Sequence, residues 1–199
     1  SSYDSDRNLT RDLDGQVTRA LLAGRQPRLL LELGCGTGKN TPFYARIAEN
    51  VLALDFSEAM LARARRQPLP AAVHFAIADL TSSLPSVGGA VDVAACNLVL
   101  EHIADLLAVF AEVARVLRPG GTFYVCELHP FKQYVGKKAV FERDGAQIQI
   151  PAYVHHVSDF VGAGEAAGFA LAHLGEWWHA EDHGLPPLLI SFLFTKPSR

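Results

Sequence analysis

The 199 residues predict an α/β domain, a mostly parallel sheet with helices on both faces. Three observations carry that expectation. Apolar runs and segments of helical periodicity alternate through the first two thirds of the chain, and short connections between such pairs call for parallel strands. The first run, Leu29 to Leu33, stops at Gly34, Gly36 and Gly38, where a buried strand must turn tightly into a helix. Asp55 and Asp79 each close a later run, so acids collect on the rim where ligands of open α/β sheets bind.

Each element has its own signal. Leu13, Val17, Ala20 and Leu21 place a helix over 12–23, ended by Gly24, with Pro27 beyond. It packs on the sheet or over the ligand, or is part of a flexible leader. Pro42 suits the first turn of a helix running to about Ala48. Val51 to Leu54 is the second strand. Ser57 caps a helix that Pro68 and Pro70 have broken by about Arg66. Val73 to Ala78 is the third strand and Val91 to Asn97 the fourth. Leu106, Val109, Phe110, Val113, Val116 and Leu117 recur at three and four residues, and Pro119-Gly120-Gly121 ends that helix before a fifth strand over 122–127. Further on, the alternation from Ala139 to Ile150 around Asp144-Gly145 reads as a hairpin. A helix to about Ala167 and strands over 169–177 and 188–195 complete the chain, although Gly162 and Gly164 weaken the case for that helix. The expected organisation is one domain over 1–199: a leader or lid (1–27), a ligand-binding core (28–128), a hairpin insertion on the substrate side (129–157), and a terminal helix and strands (158–199).

Composition narrows the function. Hydrophobic residues make up 49% and charged residues 20%, ordinary for a water-soluble domain. A net charge of −3, from 18 basic and 21 acidic residues, gives no general attraction to nucleic acid or anionic membranes. No apolar stretch approaches the roughly 20 residues that span a bilayer, and the amino end has no secretory pattern. Cys35, Cys96 and Cys126 fall in or beside central strands without metal-ligand spacing, as expected of buried thiols in a reducing cytoplasm. No metal site is expected. His155-His156 invites one, but neighbouring strand residues point to opposite faces and a third ligand is missing.

The glycine spacing limits the ligand. A dinucleotide fingerprint needs its third glycine at position 39, which is Lys39, and the phosphate loop G-x-x-x-x-G-K-[ST] is absent. Asp55 lies 21 positions after Gly34, close to the separation at which a strand-end acid accepts hydrogen bonds from ribose hydroxyls. Asp79 is placed to accept from an adenine amino group, or else to cap a helix. The acids Glu32, Asp55 and Asp79 favour a cationic ligand, while Lys39 leaves a pyrophosphate open.

Five segments in order carry a family resemblance: Glu32-Leu33-Gly34-Cys35-Gly36-Thr37-Gly38, Leu54-Asp55-Phe56-Ser57-Glu58-Ala59-Met60-Leu61, Ala78-Asp79-Leu80, Leu100-Glu101-His102-Ile103 and Arg115-Val116-Leu117-Arg118-Pro119-Gly120-Gly121. Over about 28–128 the chain resembles class I S-adenosylmethionine-dependent methyltransferases of the type 11, ubiquinone-biosynthesis-like small-molecule group. The resemblance implies a Rossmann-like, seven-stranded, mostly parallel sheet with the last strand antiparallel. It implies S-adenosylmethionine as cofactor, with S-adenosylhomocysteine as product. It assigns Gly34 and Gly36 to the methionine portion, Asp55 to the ribose and Asp79 to the adenine amino group, with Phe56 and Met60 packed on the adenine, and Glu32, Cys35, Ala78 and Leu80 also at the cofactor. The Asn97 backbone would lie near the cofactor amino group.

Methyl transfer needs an acceptor held in line with the methyl and its departing sulfur, and a protic acceptor also needs a base. His129 and His102 are the expected bases, because both follow strands that end on the ligand rim. Tyr3, Tyr134, Tyr153, His155 and Trp178 are expected to contact a small-molecule acceptor, and no nucleic acid or membrane partner is expected. Two other readings remain beside the enzyme: a non-catalytic S-adenosylmethionine- or NAD-binding protein, and a nucleic-acid methyltransferase. The last is disfavoured by Asn97-Leu98-Val99-Leu100, which is unlike the Pro-Pro-aromatic motif of many base-amine methylating enzymes. The acceptor atom and the oligomeric state are not readable from the sequence.

Overall fold

The computed structural model describes residues 8–135, 140–143, 146–149, 152–181 and 184–198. Helix α1 (Leu9–Leu22) leads into β1 (Leu29–Leu33), α2 (Thr41–Ile47), β2 (Asn50–Asp55), α3 (Glu58–Ala64) and β3 (Val73–Ile77). Strand β4 (Val91–Asn97), a 3₁₀ turn at Leu100–His102, α4 (Leu106–Val116) and β5 (Leu117–Leu128) follow. The remainder is α5 (Pro130–Tyr134), a hairpin of β6 (Val140–Arg143) and β7 (Ala146–Gln149), α6 (Val157–Ala166), β8 (Ala170–Trp177) and β9 (Leu189–Thr195).

Seven strands form one sheet in the order β3-β2-β1-β4-β5-β9-β8. The first five are mutually parallel, and β9 runs antiparallel to both β5 and β8. The expected α/β sheet with an antiparallel last strand is therefore the observed one. Strand β1 is nearly all apolar because both of its faces are covered. Leu30 packs with Leu13, Val17, Tyr44 and Leu61 from α1, α2 and α3. Leu31 and Leu33 belong to the opposite layer with Phe110 and Val113 of α4 and Phe160 of α6. The helices after β1 and β2 lie on one face and the helix after β4 on the other, so the winding reverses between β1 and β4. That reversal opens a crevice at the carboxyl ends of these two strands.

Two local expectations are corrected, and a third, the helix over the glycines, is met. Strand β5 begins at Leu117 rather than 122, and Pro119-Gly120-Gly121 sits inside it as an irregularity where a step of two residues on β4 meets a step of five on β5. A short helix, α5, follows His129 where no helix was expected. Helix α6 forms despite its glycines, because a Cβ on Gly164 would lie 2.5 Å from the Phe194 ring, so a bare backbone lets the helix approach β9. The Asp144-Gly145 turn and Tyr3 lie outside the described residues. Among the described residues no helix is long and apolar enough to cross a membrane.

Candidate active site

The chain leaves β1 through a turn in which Gly34 and Gly36 have φ of 67° and 55°, a region L side chains rarely enter. The two glycines answer different needs. A Cβ on Gly34 would lie 2.3 Å from a Val99 methyl, so this glycine lets the turn press against the chain leaving β4. A Cβ on Gly36 would meet no atom within 4 Å, and Gly36 lines a cavity. Asp55 fixes the turn from the neighbouring strand end. One carboxylate oxygen accepts the Gly36 N–H at 2.8 Å and the other the Ser57 N–H at 2.8 Å, which ties the glycine turn to the start of α3.

The cavity, about 360 Å³, lies at the β1–β4 crevice. Its wall includes Glu32, Gly34, Cys35 and Gly36 from the first turn, Met60 from α3, Asn97, Leu98, Glu101 and His102 from the end of β4, and Leu128 from β5. Helix α1 closes one side with Thr10, Arg11 and Asp14. Three buried carboxyl groups, Asp14, Glu32 and Glu101, face the cavity. Glu32 accepts the Thr41 hydroxyl at 2.6 Å, and burial pushes its pKa up to about 8, with Asp14 and Asp55 raising it further. Asp14 is raised too, first by desolvation, although the amides of Asn97 (2.6 Å) and Asn40 (2.8 Å) donate to its oxygens and oppose the shift. Asn97 in turn accepts the Tyr44 hydroxyl at 2.7 Å and donates to Thr18, so one polar network ties α1 to α2 and the end of β4. The cations on the same wall are engaged: Lys39 pairs with Asp12 at 2.7 Å and Arg11 donates to Thr37.

The structure brings Glu32, Gly34, Cys35, Gly36, Met60, Asn97 and His102 together on this wall. Asp55 stands just behind it. Phe56, 79% exposed, and Asp79 lie outside the lining. One Asp79 oxygen accepts both the N–H and the hydroxyl of Thr81, which hold its carboxyl below the usual range. Ala78 packs against the core and Leu80 is buried in it.

The remaining candidates also stand apart from the cavity. His129 is buried with both ring nitrogens engaged: Nδ1 accepts the Phe131 N–H at 3.1 Å, which leaves Nε2 as the donor to Glu176 at 3.0 Å. His155 is buried against Phe160, and its Nε2 bonds the Ile103 carbonyl at 2.7 Å. The Tyr134 hydroxyl bonds His156, the Trp178 indole donates to the Leu185 carbonyl, and the Tyr153 backbone N–H donates to the Glu101 carbonyl. Among the described residues no cluster of His, Cys, Asp or Glu has metal-binding geometry. Sequence reasoning overlooked Asp14 and Asn40, and quoted Glu101 within the Leu100–Ile103 motif without giving it a role. The one signal for Asp14 was that it and Thr18 fall at i and i+4 beside the apolar Leu13–Val17 stripe of α1, a pattern equally typical of a solvated flank.

Comparison with known proteins places this geometry. Residues 31–125 match the methyltransferase domain family. Over 162 residues the chain is 35% identical to the biotin biosynthesis bifunctional protein BioHC of Cellvibrio japonicus, covering 81% of this chain and 30% of that protein. It is 29% identical over 162 residues to the ubiquinone biosynthesis O-methyltransferase of Xanthomonas campestris pv. campestris, covering 79% and 65% respectively. Over residues 31–125, just under half of its length, the chain is thus similar to S-adenosylmethionine-dependent methyltransferases of class I. It spans less than two thirds of the length of either of these relatives. A crystal structure of an S-adenosylmethionine-dependent methyltransferase from Mesorhizobium loti shares the fold with a TM-score of 0.76 at 24% identity, over 90% of this chain and 96% of that one.

The cavity of this methyltransferase domain fits the family cofactor on two counts. The open face of Gly36 forms a cradle that any side chain would enter. The donor set suits a sulfonium and an ammonium: Asp14, Glu32 and Glu101 line the wall, and the Gly36 N–H that a phosphate would need is already donated to Asp55.

Proposed function

We propose that this chain transfers the methyl group of S-adenosylmethionine to a small-molecule acceptor. The observation that supports this most is the acid-walled cavity beside the bare Gly36 turn, at the point where the sheet reverses its winding. When bound, the cofactor supplies an electrophilic methyl on a positively charged sulfur.

The chain's own residues do the rest. Gly34 and Gly36 admit the methionine portion against the backbone. Asp14 and Glu32 face it with carboxyl groups whose charge burial disfavours, so a cation there is matched by ionising them. Asp55 keeps lone pairs beyond its two backbone donors for ribose hydroxyls. The exposed Phe56 ring offers a stacking face for the adenine, and the second oxygen of Asp79 is open to its amino group.

His102 takes the role of base. It lines the cavity on the 3₁₀ turn, its side chain is about a third exposed, and its Nε2 lies 3.8 Å from a Glu101 oxygen, so a proton taken from the acceptor would meet a nearby negative charge. His129 is less suited, because both of its nitrogens hold structural bonds. Holding acceptor and donor in line is the larger contribution, up to about 7–11 kcal/mol in favourable intramolecular systems. The names of the O-methyltransferase relative and the biotin-pathway protein support a small acceptor.

Calorimetry with S-adenosylmethionine, S-adenosylhomocysteine and NAD tests the reading. The expected outcome is binding of the first two, weakened by Asp55→Ala through loss of bonds to a charged group worth about 1.5–3 kcal/mol each. Binding of NAD without either sulfur-bearing nucleoside overturns it.

A further inference from the structure

We infer that Glu127 is the positioning residue of this site, holding from the neighbouring strand the turn that carries Glu101 and His102 into the cavity. The inference rests on the reading of His102 given above and adds a residue that touches neither cofactor nor acceptor.

The segment leaving β4 is unfavourable on local grounds. Leu98 has φ of 56°, the one non-glycine residue with positive φ among those described, and a γ-branched side chain gains nothing locally from that conformation. The next two residues enter a 3₁₀ turn whose first N–H groups have no partner within it. Such a conformation persists only where its surroundings over-determine it.

Strand β5 supplies that determination. The Leu98 N–H donates to the Cys126 carbonyl at 2.9 Å, and one oxygen of Glu127 accepts the N–H groups of both Val99 and Leu100, each at 3.0 Å. Glu127 thus caps the turn as an Asp or Ser would from inside its own helix, but from the next strand. The turn then closes through His102 N–H to Val99 carbonyl and Ile103 N–H to Leu100 carbonyl. Val99 packs on Gly34, so moving this turn moves His102 relative to the glycine cradle.

The carboxyl group itself argues for such a role. Glu127 is 2% exposed, and its second oxygen has no partner among the described residues. Burial pushes its pKa up to about 8, Glu101 raises it further, and the two backbone donors oppose the shift. A group so placed would serve a purely structural end better as an apolar residue. What an apolar residue lacks is an acceptor for two adjacent N–H groups. A protonated Glu127 keeps that acceptor, and so does a glutamine.

The test compares Glu127→Gln, Glu127→Asp and Glu127→Leu in the whole chain by amide hydrogen exchange and by the NMR signal of the His102 ring, assigned through its loss in His102→Asn. Glutamine is expected to retain the protection of Val99 and Leu100 within about threefold. Leucine is expected to lose about tenfold per missing bond, or about a hundredfold over the pair. Aspartate, one methylene too short, should fall between them and decides the matter if the leucine variant does not fold. Addition of S-adenosylhomocysteine should shift the His102 signal in the wild type and in Glu127→Gln, and shift it less in Glu127→Asp. Wild-type protection in the aspartate variant, or a loss with glutamine as large as with leucine, overturns the inference. Failure of the wild type to respond to S-adenosylhomocysteine counts instead against the proposed function, since the exchange measurement needs no ligand.

Discussion

Replacing Gly34 and Gly36 by alanine, one at a time, separates the architectural demand on the glycine turn from the demand of the ligand. Both positions have positive φ, so both substitutions carry the left-handed cost of about 1–2 kcal/mol. Only at Gly34 does the new methyl collide with protein, 2.3 Å and 2.9 Å from the two Val99 methyls, which adds about 1–3 kcal/mol of overpacking. In a domain of this size 1 kcal/mol moves the melting midpoint by about 2–4 °C. Gly34→Ala should therefore melt roughly 4–20 °C below the wild type, and Gly36→Ala only about 2–8 °C below it.

Affinity should rank the other way. The Gly36 methyl stands in open space on the cavity wall and takes room from the ligand. Its dissociation constant for S-adenosylhomocysteine should rise at least about tenfold, ~1.4 kcal/mol. Thermal denaturation and calorimetry well below both midpoints give the two readouts. Wild-type affinity in Gly36→Ala, or equal melting losses in the two variants, refutes the reasoning.

Two more outcomes follow from the same geometry. Glu32 has a folded pKa near 8 against 4.5 unfolded, so between those values the native state binds more protons than the unfolded chain and stability falls as pH rises. The loss should be on the order of a few kcal/mol between pH 5 and 8, and urea titrations should show a flatter pH profile for Glu32→Gln; an unchanged profile removes Glu32 as its cause. His129→Ala should cost about 1–3 kcal/mol in the same assay by abandoning the Phe131 N–H and Glu176, while His102→Ala stays within about 0.5 kcal/mol. Equal losses would contradict the separation of a structural from a site histidine.

Most elements were legible in advance because their signals are local. Leu29 to Leu33 is apolar but for Glu32, Ser57 stands where a cap is needed, and the breakers fall where helices end. The start of β5 was misplaced because Pro119-Gly120-Gly121 reads as a stop, whereas pairing with β4 carries the strand through it. Helix α6 was doubted because a glycine in a helix is unfavourable by propensity, a cost outweighed here by close packing on Phe194.

The amino-acid sequence alone determined the order of strands and helices apart from α5, the bare turn after β1 and the acids at the strand ends, since each depends on neighbours within a few residues. Only the closed fold decided which groups share the cavity. Asp14 looks like the polar flank of an amphipathic helix until α1 lies across the crevice, and His129 looks like a rim base until α5 and β8 engage its ring. Glu127 reads as one more strand residue until the chain leaving β4 turns back on it. A side chain's role depends on the partner and the solvent it meets, and contacts between residues 27 to 83 positions apart exist only after folding.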